Sequence, residues 1–403
     1  MKVLPYYGLH NKDLLFDYIH PNYLFRGYSL HTWKTYEIWA NLMNILIECI
    51  EEKVGMVSIV NTLPAFCSAK ELSTFYGNYF YRIENRIPSF CGSDNEKYFL
   101  ITDKLPFAAK VLKDRNINII LTTYTVVRPR SFALKQFLRE EFIRYFQLVI
   151  SFKLKDKQEF ISKIETALIA FFQRINLCVI LANRPSESYY KNKSCYYAIW
   201  PNGRAVSVLQ CGLLRGEVVK SIFTPENDSF ILDIGGAQRL LASWIYANSD
   251  IYGIVYPKEL RKYDIMIAIK NKTNFNKNII NVCQNNNFRV LVNDSLGSEK
   301  INMIRNCAYE ESVLALLIQR VHDGKEFYNV FFRDGTTISV YSINEINELL
   351  IYLSNSIENK IAESQKHILS NYKKNGLLFP SINSKGLSII NEGLFHDKTI
   401  KND

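Results

Sequence analysis

Apolar residues recur with a helical period from Trp33 to about Lys53. Trp33, Tyr36, Leu42, Ile45, Leu46, Cys49 and Ile50 share one side, Thr32 stands where an N-cap belongs, and Gly55 stands where such a helix would stop. The runs that follow read differently. Met56–Val60 ahead of Pro64, Tyr98–Thr102 and Ile117–Val127 carry the strand pattern, with helices predicted at Ala69–Phe75 and Ala108–Asp114. Phe137–Phe152 reads as a return strand for Ile117–Val127, joined to it through the basic stretch Arg128-Pro129-Arg130. Asp156–Ile175 is an amphipathic helix, Cys178–Ala182 a buried strand, and Pro201–Arg204 a turn between two strands, the second being Val206–Leu214.

A stretch near the middle organises the rest. Phe230, Leu232 and Ile234 alternate with polar positions as a half-buried strand does, and Gly235-Gly236 is expected to turn the chain into an apolar helix from Ala237 to Asn248. Arg239 then falls in the first turn of that helix. Backbone N–H groups at a helix start attract anions, and a guanidinium there holds a phosphate bidentately, so the unit suits a nucleotide triphosphate. The same residues also describe an ordinary strand–helix junction.

Beyond Gly253–Pro257 the period changes. Strand Asp264–Lys270, helix Lys277–Asn286, strand Phe288–Asn293, helix Glu299–Cys307 and strand Ser312–Arg320 alternate, which argues for a parallel α/β sheet. Phe327–Phe332 and Thr337–Ser342 flank the hairpin signal Arg333-Asp334-Gly335-Thr336, and Asn344–Tyr352 begins a helix whose pattern runs on to about Lys374. Leu377–Asp403 reads as a partly ordered tail. The fold class is therefore α/β, with an α+β domain over 1–258, a smaller α/β domain over 259–355, and a helical extension and tail over 356–403.

Composition narrows the function classes. With 48% apolar and 22% charged residues among 403, the chain is an ordinary globular protein able to bury two cores. No apolar run approaches the ~20 residues of a membrane span, and the N-terminus lacks a signal-peptide core, so no membrane partner and a cytoplasmic location are expected. The formal charge of +10 favours an anionic partner such as nucleic acid. Eight cysteines without a CxxC read as mostly buried reduced thiols. The histidines (10, 20, 31, 322, 367 and 396) leave Thr32–Val321 without one, which argues against a histidine triad or histidine-ligated metal there.

The order strand, Gly235-Gly236, Arg239, apolar helix, Gly253–Pro257, new strand resembles motif 3 of class II aminoacyl-tRNA synthetases of the threonyl/prolyl type. The helix ended by Gly55, with Gly27 before it and Pro64 after, is similar to their motif 1, and Arg128 on the basic connection is similar to the motif 2 arginine that binds the α-phosphate of ATP. Asn183-Arg184-Pro185 and Gln210-Cys211-Gly212 also match family elements. Motif 2 departs from the pattern at Arg130, Arg144 and Phe146, where the family has polar or acidic groups. Leu105 and Phe230 stand at two of the three zinc-ligand positions of threonyl enzymes, so no metal site and no zinc are expected.

The resemblance implies a catalytic-type domain over 1–258 and an anticodon-binding-like domain over 259–355. It implies Arg128 and Arg239 as catalytic residues, and Arg128, Gln210, Gly235, Gly236 and Arg239 as binders of ATP with Mg²⁺. It implies an ATP-dependent ligase that forms an aminoacyl adenylate and passes the acyl group to tRNA or another acceptor, and a homodimer through Trp33–Ile50 and the following strand. The degenerate positions leave a second reading open: a catalytically silent paralogue serving as a regulatory or nucleic-acid-binding accessory subunit.

Overall fold

The computed structural model describes residues 19–127, 142–353 and 388–391, short connecting segments within those spans excepted. Arg128, Arg130, the turn Pro201–Arg204 and the extension at 354–387 lie outside the described residues. The chain divides into two compact units between Trp244 and Ile245.

In the first unit β1 (Ile19–Phe25) pairs antiparallel with β2 (Tyr28–His31). Helix α1 (Trp33–Lys53) follows with most of the expected face buried: Leu42, Ile45, Leu46, Cys49 and Ile50. Its first turn is left outside: Trp33 is 69% and Tyr36 48% exposed. Gly55 takes a φ of +148° just past the helix end, a conformation glycine adopts without strain. Helix α2 (Ala69–Tyr76) opens with a capping box in which Ser68 accepts from the Glu71 N–H and the Glu71 carboxylate accepts in return. Helix α3 (Leu105–Arg115) begins earlier than its apolar periodicity suggests, because Asp103 accepts the Leu105 N–H and Pro106 is tolerated in the first turn.

The core of this unit is an eight-stranded sheet. It is built from β3 (Ser58–Ile59), β7 (Ile119–Val127), β8 (Phe142–Lys153), β9 (Val179–Arg184), β10 (Tyr190–Ile199), β11 (Ala205–Leu214), β12 (Ser229–Ala237) and β20 (Ser388–Asn391). Its order is β20-β9-β10-β11-β12-β8-β7-β3. All pairs are antiparallel except β3 with β7. The pairing of β7 with β8 is the one the basic connection suggested, whereas edge strand β20 comes from the stretch read as a tail. Helix α4 (Lys157–Arg174) packs against α1, and Arg174 reaches Glu48 at 2.6 Å. A small sheet of β4 (Phe66–Ser68), β5 (Ser89–Cys91) and β6 (Lys97–Leu100) and helix α5 (Gly216–Ile222) complete the unit.

One expectation is corrected here. Gly235 and Gly236 do not turn the chain; they lie inside β12, opposite Gln147 and Phe146 of β8 and opposite Gln210 and Leu209 of β11. The reason is crowding. A Cβ on Gly235 would overlap the Tyr145 hydroxyl, and one on Gly236 would overlap the Phe146 ring and lie 2.9 Å from the Val208 carbonyl oxygen. The strand runs on to Ala237 and α6 (Arg239–Ala247) starts two residues later.

In the second unit, past the short β13 (Ser249–Asp250) and β14 (Gly253–Ile254), come β15 (Ile265–Ala268), α7 (Asn274–Asn285), β16 (Val290–Asn293), α8 (Ile301–Glu310), β17 (Ala315–His322), β18 (Lys325–Phe332) and β19 (Thr337–Val340), with residues 343–353 helical. The sheet order is β16-β15-β17-β18-β19. The alternating strands pair parallel as expected, β15 with β16 and β17, and β18 and β19 add antiparallel pairs that make the sheet mixed. The alternation of strands and helices stops at β17, where Asp323-Gly324, both with positive φ, make a two-residue turn. Arg261, Asp264 and Arg289 form an ion cluster just before β15, in which Arg261 and Asp264 are buried and Arg289 is exposed, with Arg261 and Arg289 reaching Asp264 Oδ1 at 3.1 and 2.9 Å.

Candidate active site

Residues paired across an antiparallel ladder share a face, so register alone assembles this site. Thr122 of β7, Gln147 of β8, Gly235 of β12 and Gln210 of β11 form one row; on the same face Val149, Asp233 and Gly212 form the row to one side of it and Tyr124, Tyr145 and Ala237 the row to the other. A sheet face that packs only for stability is apolar. This one carries amides, phenols and a carboxylate.

At one end of the face a cleft, partly open to solvent, is lined by Val126, Tyr145, Gln210, Gly235, Gly236, Gln238 and Arg239, among others. Arg239 is the first residue of α6, as its sequence position suggested, and is half-buried at the cleft wall. Thus Gln210, Gly235, Gly236 and Arg239 meet at one cavity. Arg128 lies outside the described residues, though Val126, two residues before it, lines the same cleft.

Below the cleft is a buried polar cluster that the sequence reading missed. Gln147 Nε2 donates to Asp103 Oδ1 at 2.8 Å and to Asp233 Oδ1 at 2.9 Å. Its Oε1 accepts from the Tyr124 hydroxyl at 2.9 Å, and the Tyr190 hydroxyl donates to Asp233 Oδ2. The Tyr190 ring lies over Gly212, where a Cβ would overlap it. Lys104 joins the edge of the cluster: its N–H donates to Tyr124 and its ammonium donates to the Leu63 and Pro64 carbonyls.

The electrostatics follow from this arrangement. Burial, and secondarily the neighbouring Asp103 carboxylate, push Asp233 up to about 7, opposed by the Tyr190 and Gln147 hydrogen bonds and by Lys193. Burial likewise pushes Tyr190 and Tyr124 well above the ordinary phenol value, and lowers Lys104. Asp233 therefore changes its charge inside the sheet near neutral pH. The signal in the sequence was a lone polar residue inside an apolar strand run, Gln147 in FQLVI and Asp233 in ILDIG, since such residues are buried only with partners.

Two motif departures turn out to lie elsewhere. Arg144 stacks on Tyr36 of α1 at 3.7 Å, and Phe146 is fully buried against Trp39 of α1. Both alternate away from Gln147, so neither side chain is part of the polar cluster. Leu105 opens α3 fully buried, and Phe230 stacks with Phe152.

No family model matches the chain, and no curated protein matches it. Solved structures do. A Giardia lamblia prolyl-tRNA synthetase in complex with prolyl-adenylate superposes with a TM-score of 0.71 over 94% of this chain and 88% of its own, at 13% identity. Cryptosporidium parvum prolyl-tRNA synthetase, complexed with halofuginone and AMPPNP, gives 0.66 over 89% of this chain and 77% of its own at 16% identity. The same enzyme with L-proline and AMP gives 0.63 over 88% and 77%, again at 16%. The fold is class II synthetase-like. A class II synthetase-like fold at such low identity fixes the scaffold and not the chemistry, which rests on the residues of this chain.

Proposed function

We propose that this chain is an ATP-dependent ligase of the class II synthetase type. It activates a carboxylic acid, an amino acid by analogy with the prolyl enzymes of like fold, and passes the acyl group to tRNA or another acceptor. The observation that carries the reading is the convergence of Arg239, Gln210, Gly235 and Gly236 on one cleft at the head of a polar sheet face. A guanidinium at a helix start and side-chain-free strand positions suit a triphosphate laid along the backbone. Arg128, which follows β7 in the sequence, is proposed as the second cation.

In this reading a substrate carboxylate oxygen bonds to the α-phosphorus, the α–β bridging P–O bond breaks, and pyrophosphate leaves. Arg239 neutralises charge on the phosphates and Gln210 orients the nucleotide. Mg²⁺ would enter carried by the phosphates, since the described residues lining the cleft include no carboxylate. Positioning and charge neutralisation supply most of such a reaction's acceleration.

The dimer is proposed through α1 and β3, where Trp33, Tyr36, Met56 and Ile59 are exposed. A nucleic-acid contact is proposed for the second unit, whose Phe327 and Tyr341 stack at 5.1 Å on an outer sheet surface beside Arg320. No described helix is long and apolar enough to cross a membrane; the cytoplasm is the proposed location.

ATP–pyrophosphate exchange over a panel of amino acids tests the ligase, with Arg239→Ala and Arg128→Ala as controls. Exchange that either substitution abolishes supports it. One observation favours the silent-paralogue reading instead: Asp233, Gln147, Tyr124 and Tyr190 satisfy one another without a substrate. No exchange with any amino acid, together with salt-sensitive RNA or DNA binding, decides for that reading.

A further inference from the structure

The junction between β12 and α6 contains a substitution of side chain for main chain. The ladder of β12 with β8 pairs Ala237 with Tyr145, so the next rung would join Gln238 to Arg144. Half of that rung is regular: the Gln238 N–H donates to the Arg144 carbonyl at 2.9 Å. The other half cannot be. The Gln238 carbonyl has turned into the helix, where it accepts the Ala242 N–H at 2.9 Å, and in its place Gln238 Oε1 accepts the Arg144 N–H at 3.1 Å. The side chain that does this is 2% exposed.

We propose that Gln238 is a positioning residue for Arg239. At this junction the strand becomes a helix, and Arg239 is the first helical residue. The carboxamide closes the last rung while the backbone departs from it, which fixes the direction in which α6 starts and hence where the Arg239 guanidinium stands in the cleft. Asparagine is one methylene too short to reach the Arg144 N–H from the same backbone. The inference rests on the proposed nucleotide reading of the cleft, and it adds that affinity for the phosphates depends on a residue that need not touch them.

The experiment is a double-mutant cycle on the full chain, with MgATP and adenosine as the probes and calorimetry as the readout. Gln238→Met keeps the volume and removes the acceptor; Gln238→Glu restores an acceptor oxygen. Gln238→Met is expected to weaken MgATP roughly fivefold to tenfold, an effect of small misplacement on an oriented contact, and to leave adenosine affinity within about twofold. Gln238→Glu recovers most of the loss. In an Arg239→Ala background the Gln238→Met effect shrinks below about twofold, because the two act as one unit. If the wild-type chain binds no MgATP, the nucleotide reading itself fails. If MgATP binds and Arg239→Ala weakens it, but Gln238→Met binds like wild type or loses equally in both backgrounds, the positioning role is overturned and the reading stands.

Discussion

Asp103 and Asp233 hang from the same amide: Gln147 Nε2 donates to one carboxylate at 2.8 Å and to the other at 2.9 Å. The two acids come from different parts of the chain, a helix start and a strand interior, and share a buried site that has little room for two negative charges. Asp233, raised to about 7 from its usual 3.8, carries the consequence.

A carboxyl whose folded value lies above its unfolded one contributes stability that is complete below about pH 4 and is lost as pH rises through about 7. Urea unfolding between pH 4.5 and 8 should therefore show stability falling with pH, at a slope that approaches ~1.4 kcal/mol per unit where the two states differ by one proton. Asp233→Asn retains an acceptor for Gln147 and a partner for Tyr190 and should flatten that slope. An unchanged slope in the variant would place the titrating proton elsewhere.

Gly235→Ala and Gly236→Ala separate two kinds of crowding. At Gly235 the obstacle is the end of the Tyr145 side chain, which can rotate; at Gly236 it includes the Val208 main chain and the fully buried Phe146. Both overpack, at a cost of about 1–3 kcal/mol, and Gly236→Ala should be the more destabilising. Gly235→Ala should in addition narrow the cleft and reduce MgATP binding, read by calorimetry.

Asp264→Ala should be among the most damaging substitutions in the second unit. It leaves Arg261 buried and charged with its carboxylate partner gone, a loss of about 3–5 kcal/mol. Burial raises Asp264, but the Arg289 and Arg261 contacts outweigh it and hold the carboxyl below 3.8. Its contribution is therefore present above about pH 4 and lost as pH falls through the lower folded value. Denaturation of the variant and wild type should converge only in strong acid.

Much of the scaffold was legible because strong periodicity and register agree. α1, α2, β7, β12 and the strand–helix alternation through β17 follow directly from where apolar residues recur. The breaks came where a tertiary contact overrode a local signal. Gly235-Gly236 reads as a turn in isolation, yet it is strand because Tyr145 and Phe146 fill the space a side chain would need. The antiparallel pairing of β17 with β18 was hidden because Asp323-Gly324 follows a run that looks like one more parallel strand, whereas the β18–β19 hairpin was legible from its turn residues Arg333–Thr336. In the site, Gln210 and Arg239 were visible as motif residues, whereas Asp103, Gln147 and Tyr190 converge only through pairing between distant segments. No periodicity within one segment reports that.

The two-residue turn at Asp323-Gly324 also bears on how the second unit assembles. β17 and β18 meet through contacts close in sequence, with His322 paired to Lys325, whereas β15 must wait for β16 and β17 across whole helices. Closing a tight hairpin takes microseconds, and long crossovers are slower. In pulsed hydrogen exchange during refolding, amides of residues 315–332 should be protected before those of 265–268, so that the hairpin is the template on which the parallel strands later settle.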